Sequence, residues 1–291
     1  MIRSMLFVPG NSPAMLLNAD IHGADAIILD LEDAVAPDQK DAARILVRNA
    51  IRFLGYAGCK IIVRINPLET SYCTEDIRAM VPLKPDMLMP TKVADAQTVK
   101  TISRMIEQAE KAGDIERGAI ALCPLIETAR GIEKAYEIAL SDARVKGILL
   151  GAEDLTSDLR AVRTKTGEEI AYSRGRVVMA ARAAGIDAYD TPFTDVFDDE
   201  GIREDAELAR RMGFSGKAAI SPRHIDAVNR AFSPTEEEIA YAQEVLDIIA
   251  QAKRTGRGAV SLRGKMIDKP IVDRARHVMD MAKQIGGLRH A

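Results

Sequence analysis

At 291 residues the chain exceeds a minimal module and has the length of one β/α barrel with an appendage. Hydrophobic residues make up 47% and charged residues 29%, which supports a sizeable core and argues against a disordered chain. A net charge of −3, an aromatic content of 4% and the lack of Trp argue against a general attraction to nucleic acid or acidic lipid, and against a ring-lined surface for bases or sugars.

The first predicted strand, Met5–Val8, stops at Pro9-Gly10 and is too short for a signal segment. Further strands are predicted at Ala26–Leu31, Lys60–Ile65, Met87–Pro90, Ala119–Ile126, Gly147–Leu150, Ala188–Thr191 and Lys217–Ile220. Runs such as Ile61-Ile62-Val63 and Ile148-Leu149-Leu150 are nearly unbroken, as expected of parallel strands buried on both faces. Amphipathic helices fall between them. One follows Thr128 as N-cap, carrying Ile132, Ala135, Tyr136, Ala139 and Leu140 at helical spacing; others, Val177–Ala184 and Glu204–Met212, end at Gly185 and Gly213.

Eight strands, most of them followed by a helix, predict an α/β fold of the closed (β/α)₈ TIM-barrel type over residues 1–222. Neither a Gly-x-Gly-x-x-Gly turn after the first strand nor a P-loop is present, so dinucleotide and P-loop readings lose their main support. Residues 223–291 read as a C-terminal helical extension: a long charged helix over Thr235–Lys253, a flexible joint at Thr255–Gly258, the segment Val260–Met266 and a last helix from Lys269. Cys59, Cys73 and Cys123 are few, odd in number and widely spaced, which fits reduced, buried or incidental thiols in a cytoplasmic protein. No apolar run reaches membrane-spanning length.

In β/α barrels the chemistry gathers at the carboxyl ends of the strands. Here the second strand ends Asp30-Leu-Glu32-Asp33, the third Arg64-Ile-Asn66-Pro67, the fourth near Lys92, the fifth Glu127-Thr128 and the sixth Gly151-Ala-Glu153-Asp154. An oxygen-rich mouth with no His or Cys among these residues suits Mg²⁺ or Mn²⁺ rather than zinc. Each acid alone could equally be a helix cap, but together they place enough negative charge at one mouth to call for a cation.

These residues carry a resemblance. The stretches Arg3–Gly10, Leu29-Asp-Leu-Glu-Asp-Ala-Val35, Val63-Arg-Ile-Asn66, Ile126-Glu-Thr-Ala-Arg-Gly131, Gly151-Ala-Glu-Asp-Leu155 and Gly264-Lys-Met-Ile-Asp268 are similar to the citrate lyase beta-chain family. That family belongs to the superfamily of malyl and citramalyl thioester lyases and metal-dependent pyruvate aldolases. The resemblance implies a Mg²⁺-dependent cleavage of a citryl thioester to oxaloacetate and an acetyl thioester, with Mn²⁺ as a substitute. It implies that Glu127 and Asp154 ligate the metal and that Arg64 and Glu127 contact substrate. Glu32 and Asp33, with Asp30 beside them, hold metal-bound waters, and Asp268 enters the barrel of a neighbouring subunit as a catalytic acid. It further implies a homo-oligomer, a trimer, working with an alpha subunit and an acyl carrier subunit, and no nucleic-acid or membrane partner. Stand-alone CoA-using relatives often carry basic residues where this chain reads Gly10-Asn11-Ser12-Pro13 and Asn18, which favours a carrier-bound thioester over free CoA.

Two alternatives remain open on the residues. One is a malyl- or citramalyl-CoA lyase or a pyruvate-type aldolase of the same fold; the other is a non-catalytic scaffold that docks an acyl carrier. The tail favours a thioester lyase over the shorter aldolases, and the intact set Arg64, Glu127, Asp154 and Asp268 disfavours the scaffold. Met15, Met87, Met89, Met179 and Met212 read as core fillers, His224 as a capping or packing residue, and Arg160, Arg163 and Lys165 as a solvated loop that could also grip phosphates.

Overall fold

A computed structural model describes residues 1–254 and 260–288. The predicted joint at Thr255–Gly258 lies outside the described residues. Nine short strands form one all-parallel sheet: β1 (Ser4–Pro9), β2 (Ala26–Asp30), β3 (Lys60–Ile65), β4 (Met87–Pro90), β5 (Ala121–Leu122), β6 (Leu125–Ile126), β7 (Gly147–Leu150), β8 (Asp187–Asp190) and β9 (Gly216–Ala219). Their order is β5-β4-β3-β2-β1-β9-β8-β7-β6.

The two ends of that order, β5 and β6, are halves of the single predicted fifth strand, interrupted at Cys123-Pro124. Pro has no N–H to donate to a ladder, so the strand assignment breaks there while the chain runs on. The ring still closes. Leu122 N–H donates to the Arg144 carbonyl at 2.8 Å, Lys146 N–H to Leu122 at 3.0 Å and Leu149 N–H to Pro124 at 3.0 Å. The fold is therefore the eight-stranded β/α barrel expected from the alternation, with eight strands counted when β5 and β6 are taken as one.

Inward-facing side chains follow the period of two that a strand imposes. Met5, Ala26, Ile28, Ile62, Met89, Cys123, Leu125, Leu149, Tyr189 and Ala218 fill the interior as one buried cluster. Burying each large aliphatic side chain contributes roughly 1.5–3 kcal/mol. The same parity, continued two residues toward the carboxyl end, turns polar: Ile28 leads to Asp30, Ile62 to Arg64, Leu125 to Glu127 and Tyr189 to Thr191. The fold thus sets the site's residues in the ring just above the apolar floor.

Helices cover the barrel. Thr128 caps the helix Ala129–Glu133 by accepting from Gly131 N–H, and Gly185 and Gly213 end the helices Ala171–Ala184 and Asp199–Met212 in left-handed conformations. On the outer side of β8 and β9, Arg174, Asp190, Asp205 and Lys217 form a buried quartet of two cations and two anions. Cys73 and Cys123 are buried and all three thiols are free. Of the methionines expected in the core, Met89 is buried, whereas Met15 and Met179 are exposed at 57% and 68%, because each lies on the solvent side of its helix. His224 is fully buried beside Phe193, with ring centroids 6.1 Å apart.

By internal contacts Ile2–Asn229 forms one compact unit, and the chain from Arg230 on, with Met1, forms another. In the latter, helix Glu236–Arg254 begins with a reciprocal cap: Glu238 N–H donates to Thr235 Oγ1 at 3.1 Å and Thr235 N–H to Glu238 Oε2 at 2.8 Å. Ala242 and Val245 pack with Ile267, Val272 and Ala275, the last two from helix Lys269–Leu288. A two-strand hairpin, Ser261–Leu262 with Lys265–Met266, turns at Arg263-Gly264, both at positive φ (50° and 78°), which suits the tightest hairpin turn. Among the described residues no helix is long and apolar enough to cross a membrane.

Candidate active site

The mouth of the barrel holds a cavity of about 350 Å³. Phe7, Leu125, Leu149 and Ile220 give it apolar walls, and Asp30, Asp33, Arg64, Glu127 and Asp154 bring charge to it.

Arg64 and Asp30 are register partners on adjacent strands, so their side chains rise from the same face. Arg64 Nε and Nη2 each donate to one Asp30 oxygen at 2.6 Å, a two-point fork. Asp30 is itself fixed by Glu32 N–H at 2.8 Å and Ala34 N–H at 3.2 Å. The fork expected to meet substrate is thus already used on one edge by Asp30. What remains is Nη1, 3.2 Å from Glu32 Oε2 and 3.3 Å from Asp33 Oδ2. The guanidinium carbon lies 5.0 Å from the centre of the Phe7 ring. Burial works against the charge of Arg64, but its bonds to Asp30 and the fields of Asp30, Glu32 and Asp33 outweigh it and hold the group firmly cationic.

Glu127 is buried, and one of its oxygens accepts the Lys92 backbone N–H at 2.7 Å. Burial, with the nearby charge of Asp154, pushes its pKa up to about 8. Burial also lifts Glu32 to about 7, aided by its neighbour Asp33 and opposed by Arg64, whereas Asp33, bonded to Glu32 and facing Arg64 and Lys92, is held below its usual value despite burial. For Glu127 and Glu32 the main cause is burial, which disfavours the charged form, and neighbouring acids add to it.

Asp154 lies in the first turn of helix Ala152–Asp158, directly after β7, and faces the same cavity as Glu127. The start of that helix is tied to β8, because Ala152 N–H donates to Thr191 Oγ1 at 3.1 Å. A buried glutamate beside a half-buried aspartate, with only carboxylate oxygens as candidate ligands, fits a hard divalent ion. No group of three or more His, Cys, Asp or Glu set to hold a metal occurs among the described residues. An ion here would therefore take two protein carboxylates and complete its shell with water or substrate oxygens, as Mg²⁺ commonly does.

Several functional neighbours escaped the sequence analysis. Lys40, buried at the start of helix Lys40–Leu54, donates its ammonium to the carbonyls of Leu31 at 2.9 Å and Glu32 at 2.7 Å, and so pins the acidic loop. Asn66 donates to the same Leu31 carbonyl at 2.9 Å. Thr191 and the ammonium of Lys92 were likewise unassigned. Lys40 lies eight residues from Glu32 on a different element, and nothing in the local pattern marks it. Arg163 is engaged by Glu169 at 2.6 Å and Glu153 at 3.2 Å, and Lys165 by Asp195 at 2.6 Å and Asp198 at 2.8 Å; the solvated-loop reading describes Lys165, whereas the Arg163 side chain is largely covered.

Asp268 belongs to the C-terminal unit, where its Oδ1 accepts Ile271 N–H at 3.2 Å at the start of the last helix.

A parallel barrel whose mouth brings two carboxylates and an arginine to one apolar-walled cavity has the form of an enzyme's active site. The chain belongs to the HpcH/HpaI aldolase/citrate lyase family, whose pattern it matches over residues 3–222. It is similar to the citrate lyase subunit beta of Leuconostoc mesenteroides subsp. cremoris, at 44% identity over 96% of this chain and 93% of that protein. At 31% identity it is similar to a (3S)-malyl-CoA thioesterase of Cereibacter sphaeroides (strain ATCC 17029 / ATH 2.4.9), over 99% of this chain and 96% of that one. Among solved structures it is similar to the CitE protein of Mycobacterium tuberculosis in complex with magnesium, acetoacetate and coenzyme A, with a TM-score of 0.78, 31% identity, and coverage of 97% and 98% of the two chains. The resemblance first drawn from scattered motifs therefore extends through the chain.

Proposed function

We propose that this chain cleaves a citryl thioester to oxaloacetate and an acetyl thioester, with Mg²⁺ held by Glu127 and Asp154 and with Mn²⁺ as a substitute. The observation that carries the reading is the meeting of Arg64, Glu127 and Asp154 around one cavity with an apolar floor. Similarity to a citrate lyase beta subunit supports the acyl group, and the magnesium bound by the Mycobacterium CitE protein supports the metal.

Magnesium supplies, when bound, Lewis acidity toward the hydroxyl and carboxylate of the substrate. The chain's own residues do the rest. Arg64, clamped by Asp30, turns Nη1 from Glu32 and Asp33 toward a substrate carboxylate or the forming carbonyl. Phe7, Leu125, Leu149 and Ile220 keep water from the breaking bond. Asp30, Glu32 and Asp33 order the polar side of the mouth. The proton lost from the substrate hydroxyl as the carbon–carbon bond breaks is returned to the carbon of the leaving enolate, with Asp268 of a neighbouring subunit delivering it. In this reading the protein is a cytoplasmic homotrimer, and its thioester is presented by an acyl carrier subunit alongside an alpha subunit.

A second reading, cleavage of malyl- or citramalyl-CoA, draws on the similarity to the malyl-CoA thioesterase. Purified chain offered citryl-CoA, malyl-CoA and citramalyl-CoA with Mg²⁺ separates the two. The first reading expects oxaloacetate release and the highest kcat/KM with citryl-CoA; faster glyoxylate or pyruvate release from the other two would replace it. No turnover of any thioester, alone or with an alpha and a carrier subunit, would leave only a docking role.

A further inference from the structure

Lys92 meets the acid cluster with both of its ends. Its backbone sits in the left-handed region at φ 53°, a conformation that costs a side-chain-bearing residue about 1 kcal/mol. That conformation turns its N–H onto Glu127 at 2.7 Å. Its ammonium reaches back over the mouth, 3.1 Å from Glu32 Oε1, 3.9 Å from Asp33 Oδ1 and 3.7 Å from Asp154 Oδ2. The side chain is 42% exposed, so solvent reaches the ammonium where it meets these acids.

We propose that Lys92 is a positioning residue that sets the metal affinity of the site, its ammonium competing with the divalent ion for the carboxylate of Asp154. The proposal rests on the reading that Glu127 and Asp154 take that ion. An ammonium 3.7 Å from Asp154 Oδ2 repels a second cation brought to the same carboxylate. Ion binding is therefore favoured when the ammonium moves off Asp154 and stays with Glu32, 3.1 Å away, while the amide of the same residue keeps hold of Glu127. One residue thereby fixes one ligand and screens the other, which keeps affinity for the bare ion low and leaves room for the oxygens of the substrate to complete the shell.

The test is direct binding of Mn²⁺, followed by electron paramagnetic resonance and calorimetry, on the full-length chain without substrate. Lys92→Gln removes the charge and keeps the amide; it is expected to bind Mn²⁺ about tenfold more tightly than wild type. Lys92→Arg restores the charge and should return the affinity to near the wild-type value. Glu127→Gln should nearly abolish binding. Circular dichroism and thermal melting in EDTA establish that each variant is folded, and Lys92→Asn, better suited to the left-handed backbone, stands in for Lys92→Gln if that protein does not fold. Unchanged or weaker Mn²⁺ binding by the charge-removed variant overturns the proposal while leaving the metal site intact. Wild type that binds no Mn²⁺ overturns both.

Discussion

Gly151 leaves the space that Glu127 occupies: a Cβ at residue 151 would lie 2.7 Å from Glu127 Oε2 and 2.8 Å from Glu127 Cβ. The two residues end neighbouring strands, joined where Gly151 N–H donates to the Ile126 carbonyl at 2.9 Å. A Cβ cannot be accommodated at such separations, so either the glutamate side chain or the end of β7 has to move. Gly151→Ala is expected to shift the Glu127 carboxylate by a few tenths of an ångström or more. It should weaken Mn²⁺ binding and lower kcat by about a hundredfold, the scale of a displaced catalytic group. Steady-state kinetics beside a thermal melt check this, since a folded protein of normal activity would show that Glu127 does not need its present place.

Arg64→Lys should behave nearly as badly as Arg64→Ala, each losing at least about a hundredfold in kcat/KM. The lysine keeps the charge but cannot bond both Asp30 oxygens and still present a third donor to the mouth. The kcat/KM of the two variants, measured side by side, checks it. Near wild-type values for the lysine variant would remove the fork from the mechanism.

Much of this site was legible because strand parity is a strong constraint. Once β2, β3 and the fifth strand are placed by their apolar runs, the residue two beyond the last inward aliphatic must face the mouth, which picks out Asp30, Arg64 and Glu127. Boundaries at Lys60–Ile65, Met87–Pro90 and Gly147–Leu150 came out to the residue, since those runs are bounded by polar or turn residues. The break at Pro124 between β5 and β6 was hidden because the apolar run continues on both sides of it. The second use of Arg64 was not legible, since a pairing of residues 34 apart depends on strand register rather than on local pattern. Lys40 and the ammonium of Lys92 stayed hidden for the same reason. Met15 and Met179 misled because methionine is at home both in cores and on helix surfaces.

The quartet behind β8 and β9 carries a stability prediction. Lys217 Nζ contacts Asp190 and Asp205 at 2.6 Å each and donates to the Thr191 carbonyl at 2.6 Å. Lys217→Met leaves two buried carboxylates facing Arg174 alone and should cost about 3–5 kcal/mol. Burial alone would raise the pKa of Asp205, but Lys217 and Arg174 outweigh it and hold it below its ordinary value of 3.8. A depressed carboxylate contributes stability above its unfolded value and loses it as pH falls through the folded one. The gap between wild type and variant should therefore be full at neutral pH and narrow below the ordinary carboxylate range. Urea midpoints at pH 7 and in acid read it; a gap that is absent at neutral pH, or that widens in acid, contradicts the assignment.

Asp268 gives the sharpest test of a shared site. Asp268→Asn chains and Glu127→Gln chains, each expected to be inactive alone, should regain part of their activity when unfolded and refolded together, because some mixed sites then contain both native residues. An Asp268 that serves only the cap seen at Ile271 would instead give a variant with a slightly lower melting temperature, by about 1 kcal/mol in stability, and nearly unchanged kcat.

The most direct test of the whole account is oxaloacetate release from citryl-CoA by the purified chain after exhaustive chelation, measured before and after Mg²⁺ is added back. Metal-assisted cleavage at the Glu127–Asp154 pair predicts no detectable release from the stripped protein, recovery with Mg²⁺ or Mn²⁺, and no recovery in Glu127→Gln. Undiminished release from the stripped protein would contradict it.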